Sequence, residues 1–434
     1  MEIARYLLLF LMWALALTTQ VYGVRDRNIT LLESAVAKGA VCLDGTPPAY
    51  IYSKGYGEGA NNWIVYIQGG GWCISLEDCH NRSMSSLGSS TRMMAVYPLY
   101  PPKMDGMLDD NATYNPLFYN WNIFYVLYCD GSSFMSNIDQ EINFKGKVIY
   151  FRGVRIYDAM MDDLFLNKGI ANAKNVILTG TSAGGLTTIL HCDNFRTHFS
   201  QSTTVKCISD SGFFIHGEGS IGADWREERY FNVVSTHGLA NLLPTSCTTR
   251  MNPALCLFPE YLINDVQTPL FLVESAFDLW QIQNLIPPDT LAGWDICDHD
   301  TTTIVSQCNW TQYSLMKDFR ATFIQTLKSL DNSSSIGYFV HSCYAHGHVL
   351  DKKTWTCSSL AGHNVLANKG IGQAVGDWYF NHSSFQEIDM QNDLPRNCDV
   401  ILSQLLSTSS VWMFSSIRSH KFLQHLLLLI IAYI

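Results

Sequence analysis

The chain is short of charge: only 15% of its 434 residues are Asp, Glu, Lys or Arg, and 28 basic residues face 38 acidic ones, a formal net charge of −10. A nucleic-acid partner is therefore not expected, because that mode of binding needs Lys and Arg to neutralise phosphates. No apolar run reaches the ~20 residues of a membrane-spanning helix, so no transmembrane span is expected. There is no C-x-x-C pair among the thirteen cysteines, which leaves zinc without its usual anchor, and no metal site is expected. Neither a low-complexity linker, an internal repeat nor a run of like charge marks a domain boundary.

What is present is apolar material. Hydrophobic residues make up 47% of the chain, enough for a large core and too much for intrinsic disorder. The N-terminus sets Arg5 before an apolar stretch from Tyr6 to Leu17, followed by small and polar residues up to Gly23. This reads as a secretory signal peptide over residues 1–23. Six N-x-S/T sequons, at Asn28, Asn81, Asn111, Asn309, Asn332 and Asn381, agree with a secreted glycoprotein of the cell wall or extracellular space. In an oxidising compartment most cysteines pair, and Cys73 with Cys79, six apart around a turn, is the local pair expected. The C-terminal FLQHLLLLIIAYI, residues 422 to 434, is too short to span a membrane and lacks a polar spacer, so residues 398–434 read as a tail outside the fold.

Between these ends, residues 24–397 read as one α/β domain with a mostly parallel sheet and helices on both faces. Buried strands are expected at Trp63–Ile67, Ile123–Tyr128, Val148–Phe151, Val176–Thr179, Val205–Ser209, Leu270–Glu274 and Ile336–His341. Helical spacing runs through Tyr157–Asn167 and Asp318–Leu330.

The candidate chemistry centres on VILTGTSAGGLTTIL, residues 176 to 190, in which a strand leads through Gly180-Thr181-Ser182-Ala183-Gly184 into a helix. A G-x-S-x-G match is weak alone, but this context is that of a nucleophile elbow, with Ser182 at the carboxyl edge of the sheet. A serine hydroxyl needs a base to take its proton and a carboxylate to orient that base, in the chain order Ser, acid, His. Asp278, in the loop after LFLVES, is a candidate acid beside the rivals Asp210 and Glu274. His341, His346 and His348 are candidate bases, with the latter two preferred because they lie in the loop after a strand. The Gln68-Gly69-Gly70-Gly71-Trp72 stretch follows its strand as an oxyanion loop would, and no phosphate-loop pattern accompanies it. A secreted serine esterase follows, with no cofactor required.

The blocks GGGWC (69–73), YCDGSSF (128–134), YFRG (150–153), TGTSAGG (179–185), FDxWQI (277–282), SCYAH (342–346) and GDWYF (376–380) resemble those of plant pectin acetylesterases, with Notum carboxylesterases as more distant relatives. The resemblance implies an α/β-hydrolase-like fold stapled by disulfides and removal of acetyl groups from galacturonate residues of cell-wall pectin, homogalacturonan or rhamnogalacturonan, through an acetyl-enzyme. It implies Ser182 as nucleophile, Asp278 as acid, His346 as base, and the amides of Gly70, Gly71 and Ala183 as oxyanion donors. Trp72, Arg152 and Arg155 are the expected substrate contacts, the arginines toward galacturonate carboxylates, and the expected state is a monomer. Two departures stand out: Gln68 replaces the usual Glu, and MQNDLPRNC replaces a run with three cysteines, leaving the last disulfide open. The alternatives are a deacylase of longer acyl esters and a catalytically silent wall-polysaccharide binding protein.

Overall fold

The computed structural model describes residues 27–284, 286, 308–330, 335–356, 366–396 and 398. The expected signal peptide, most of the C-terminal tail, Cys297, Cys357 and the sequon at Asn332 lie outside the described residues.

Eleven strands are described: β1 (Ile29–Leu31), β2 (Ala49–Ser53), β3 (Asn62–Ile67), β4 (Asn122–Val126), β5 (Ile142–Phe144), β6 (Lys147–Ile149), β7 (Asn175–Thr181), β8 (Thr204–Asp210), β9 (Leu270–Ser275), β10 (Ile336–His341) and β11 (Gln386–Ile388). Nine form one sheet in the order β1-β2-β4-β3-β7-β8-β9-β10-β11. Only the β1/β2 and β2/β4 pairs are antiparallel. From β4 to β11 every neighbour is parallel. A parallel sheet is covered by its crossover helices and so buries both faces. The strands show it: every residue of β4 and β9 is buried, as is β3 from Trp63 onward. The expected α/β class and mostly parallel sheet are found.

The expected strand Val148–Phe151 is not in this sheet. Its residues contribute to β6, which pairs only with β5 in a separate two-stranded ribbon. Lys145 and Gly146 between them both have positive φ, 50° and 78°. Two such residues make the tight turn that closes a hairpin, and two three-residue strands cannot also serve a central sheet. β1 and β11 are three-residue strands without an apolar run, and β2, with Ala49, Tyr50 and Ile51 buried, is a further strand beyond those expected.

The helix Ala183–Thr197 packs against β3, β7 and β8 with most of its residues buried. The helix Trp310–Lys328 starts at a capping box of Asn309 and Gln312 and buries Phe319, Phe323 and Leu327. The expected helical stretch Tyr157–Asn167 falls in the helix Gly153–Asp163, which starts four residues earlier, and in the π-turn Leu164–Lys168 that continues it. Among the described residues no helix is long and apolar enough to cross a membrane. The five described sequon asparagines, Asn28, Asn81, Asn111, Asn309 and Asn381, are all exposed.

Disulfides join Cys42 to Cys129, Cys73 to Cys79, Cys192 to Cys207, Cys247 to Cys256 and Cys343 to Cys398, and Cys308 is also disulfide-bonded. The local pair expected from spacing, Cys73–Cys79, is present. Arg396 binds Asp389 at 2.6 Å just before Cys398, so the chain is fastened to the domain up to that cysteine.

On a chain-entropy account, the Cys42–Cys129 bridge, with a sequence separation of 87, should stabilise more than Cys73–Cys79, with one of 6. Removing the first by double Cys→Ala substitution is expected to cost about 4–5 kcal/mol and removing the second about 2 kcal/mol, measured by denaturant unfolding.

Candidate active site

The carboxyl ends of β3, β7, β8, β9 and β10 lie side by side at Ile67, Thr181, Asp210, Ser275 and His341. The site is built on the loops leaving this edge. Ser182 joins β7 to the helix Ala183–Thr197 at φ 63° and ψ −126°, a conformation that costs a non-glycine residue about 1–3 kcal/mol and persists only where packing imposes it. Its amide is held by the carbonyl of Asp210 at 2.8 Å, and its own carbonyl accepts from the Leu186 amide at 2.9 Å. Close backbone approach explains the neighbouring glycines. A Cβ on Gly69 would stand 2.2 Å from the Thr181 carbonyl oxygen and 2.9 Å from the Ser182 Cβ, and one on Gly184 would stand 2.2 Å from the Ile67 oxygen. The serine turn and the glycine loop are thus pressed together with no room for side chains.

The glycine loop is braced from outside. Arg82 donates to the carbonyls of Gly70 (2.9 Å) and Gly71 (3.4 Å), and the Tyr128 hydroxyl donates to Gly71 (2.9 Å). With the carbonyls so engaged, the amides of Gly70 and Gly71 take no part in the backbone hydrogen-bond network of the described residues. Ala183 begins the helix, where an amide has no intrahelical acceptor and the helix dipole favours negative charge. Gln68 accepts from the Tyr128 amide at 2.9 Å and donates to the Tyr97 hydroxyl at 3.1 Å. A glutamate could accept at the first contact but, when ionised, could not donate at the second. The Cys73–Cys79 bridge ties the end of the loop to the helix Leu76–Arg82. Cys73, Cys79 and His237 come within ligand distance of one another, but the two sulfurs are spent in that disulfide.

The three candidate histidines separate. His346 Nδ1 lies 2.8 Å from Asp278 Oδ2. Asp278 is fully buried, and its other oxygen accepts from the Gln281 amide at 2.8 Å. The Nε2 of His346 is buried and bonds to no described residue. His341 and His348 instead pair with each other at 3.2 Å. His341 Nδ1 accepts from the Cys343 amide, so its Nε2 carries the proton donated to His348. Burial lowers the pKa of both, that of His341 further by the charges of His348 and Arg396, and keeps the pair neutral. For His346 burial acts in the same direction, but the charge and hydrogen bond of Asp278, with the charge of Asp210, outweigh it and raise its pKa.

The rival acids have other partners. Asp210 accepts from the Thr181 hydroxyl at 2.6 Å and from the amides of His348 and Val349, so it fastens the histidine loop to the end of β7. Ser211 adds a bond from the Gly347 amide at 2.9 Å. Glu274 accepts from the amides of Gly212 and Phe213, and burial, with the nearby charge of Asp278, pushes its pKa well up.

Trp72 donates from its indole to Ser133 at 2.8 Å and packs edge-on against Phe214 and Trp280. Trp280 stacks on His346, with ring centroids 5.9 Å apart. Trp280 and Ser133 carry no role in the sequence reading, although both stand in the blocks FDxWQI and YCDGSSF. Asp130 of the second block, its pKa pushed up to about 6 by burial, accepts from Ser132 and from the Phe134 amide and so shapes the turn that presents Ser133. Arg152 and Arg155 are brought elsewhere. Arg152 is buried and donates to the Asp139 carbonyl at 2.6 Å, while Arg155 binds Asn137 and Asp139. Neither lines the cavity of about 410 Å³ that opens beside His346.

A serine on a strained strand-to-helix turn, at the carboxyl edge of a mostly parallel sheet, defines an α/β-hydrolase-like protein. The whole architecture is similar to the Wnt deacylase Notum from Drosophila, with a TM-score of 0.66 at 19% identity over 86% of this chain and 98% of that one. The sequence is 43% identical to Arabidopsis thaliana pectin acetylesterase 11 over 383 residues, 87% of this chain and 94% of that protein. It is 27% identical to the palmitoleoyl-protein carboxylesterase notum1' of Xenopus laevis over 77% of this chain and 65% of that protein. The pectinacetylesterase family profile matches residues 23–399. The chain belongs to the pectinacetylesterase family, whose members are carboxylic ester hydrolases.

Because a Cβ at position 69 meets main chain and not a movable side chain, Gly69→Ala is expected to destabilise by about 1–3 kcal/mol. An unchanged unfolding midpoint would show that the loop and the serine turn are not in that contact.

Proposed function

We propose that this enzyme removes acetyl esters from the galacturonate residues of cell-wall pectin, with Ser182 as nucleophile, His346 as general base and then acid, and Asp278 as the group that orients His346. The observation that carries the reading is the His346–Asp278 pair. Its Nδ1 is committed to a buried carboxylate and its buried Nε2 is uncommitted, the state in which an imidazole accepts a serine proton. Ser182 attacks the acetyl carbonyl while His346 takes its proton. The amides of Gly70, Gly71 and Ala183 receive the negative charge that develops on oxygen. His346 protonates the departing sugar oxygen, and a water deprotonated by the same imidazole releases acetate. The family match and the identity to pectin acetylesterases support the substrate. The five exposed sequons and the disulfides support secretion to the wall after loss of residues 1–23.

Acetate release from acetylated pectin is expected from the wild type and not from Ser182→Ala, with p-nitrophenyl acetate preferred to longer acyl esters. Activity confined to long chains would keep the serine and overturn the substrate; full activity in the variant would overturn the nucleophile.

The base must be neutral, and Asp278 raises the His346 pKa above its ordinary ~6.5. The acid limb of kcat/KM is therefore expected above pH 6.5, activity falling as pH drops through it. Asp278→Asn should move the limb to lower pH and reduce kcat by about 10³–10⁴-fold, both read from a pH–rate profile.

A further inference from the structure

A protein of net charge −10 that acts on a polyanion needs a local cation to hold its substrate. The basic side chains around the site are mostly committed. Arg82 braces the glycine loop, while Arg152 and Arg155 lie away from the cavity and are spent on the segment around Asp139. The cavity beside His346 is different. Its volume of about 410 Å³ falls in the range of ligand sites, and its wall runs from Thr181, next to the nucleophile, past His346 and Tyr344 to Lys103. Lys103 is exposed, makes no ion pair with a described residue, and is the one Lys or Arg among the residues lining this cavity. The carboxylates in the same wall are engaged: Asp210 accepts from Thr181, His348 and Val349, and Asp351 accepts from the Thr354 amide.

We propose that this cavity is a subsite for a uronate residue flanking the acetylated sugar, and that Lys103 binds its carboxylate. The assignment rests on the pectin reading and adds a specificity determinant to it: the enzyme recognises the charge of the unmethylated neighbour as well as the ester. A methyl-esterified neighbour would lose that contact and bind less well.

The test uses unmethylated trigalacturonate, which carries no ester to hydrolyse, as a competitive inhibitor of p-nitrophenyl acetate hydrolysis. Inhibition of the wild type is expected. It should weaken roughly two- to fivefold in Lys103→Gln, as for an exposed ion pair, weaken further in Lys103→Glu, and be retained in Lys103→Arg. The ratio of kcat/KM for acetylated pectin to that for p-nitrophenyl acetate should fall in the same order. Equal inhibition of the wild type and both neutral and acidic variants, or no inhibition of the wild type, would overturn the subsite. Failure of the pectin reading is distinct: the wild type would then turn over p-nitrophenyl acetate without releasing acetate from pectin, whatever trigalacturonate does.

Discussion

The main chain leaving β3 and the main chain turning at the end of β7 are in contact, and almost everything else in the site is arranged around that contact. Gly69 meets Thr181 and Gly184 meets Ile67, at spacings that admit no Cβ. A parallel pairing of β3 with β7, in register from Asn62 opposite Asn175 to Ile67 opposite Gly180, delivers the two loops to one point. Packing of the helix Ala183–Thr197 against the same strands holds Ser182 in its strained conformation. Ser182 and the glycine loop pressed against it are thereby placed by the sheet itself, not by mobile side chains.

A second layer of polar contacts brings the histidine to this point. The loop after β10 hangs from β8 by three consecutive amides, Gly347 on Ser211 and His348 and Val349 on Asp210, while Asp210 also holds Thr181. Asp210 therefore links the segment before the serine to the segment after His346. The electrostatics divide the histidines along the same geometry. Of the three candidate histidines only His346 has a carboxylate partner at its ring, and its affinity for protons rises, whereas burial keeps His341 and His348 neutral in a pair of their own. Disulfides sit at the roots of these loops, with Cys73 ending the glycine loop, Cys129 beginning the Asp130 turn and Cys343 three residues before His346.

Where the sequence was read well, the signal was local and repeated. Continuous apolar runs located β3, β4, β7, β8, β9 and β10 to within a residue or two. Val148–Phe151 failed because an apolar run does not say which strand it pairs with, and a Lys-Gly turn closed it into a hairpin. β1 and β11 sit at the two edges of the sheet, where burial no longer demands a continuous apolar stretch, whereas β2 is nearly all buried and its short run Ala49–Tyr52 was passed over. Trp280 and Ser133 went unassigned for a related reason. Each acts by contact with a partner far along the chain, Trp280 on His346 and Ser133 on Trp72 and Ala183.

The amino-acid sequence by itself determined the class of fold and the strand-turn-helix around Ser182, because each is written in short-range pattern. It left three histidines and three acids open on physical grounds alone, and it put Arg152 and Arg155 in a role their partners preclude them from filling freely. Only the tertiary structure decided which of these groups meet: His346 with Asp278, His341 with His348, and the two arginines with the segment around Asp139. Which imidazole meets which carboxylate, and which cations are paired among the described residues, depends on distances between segments tens to hundreds of residues apart, and periodicity and spacing carry no information about them.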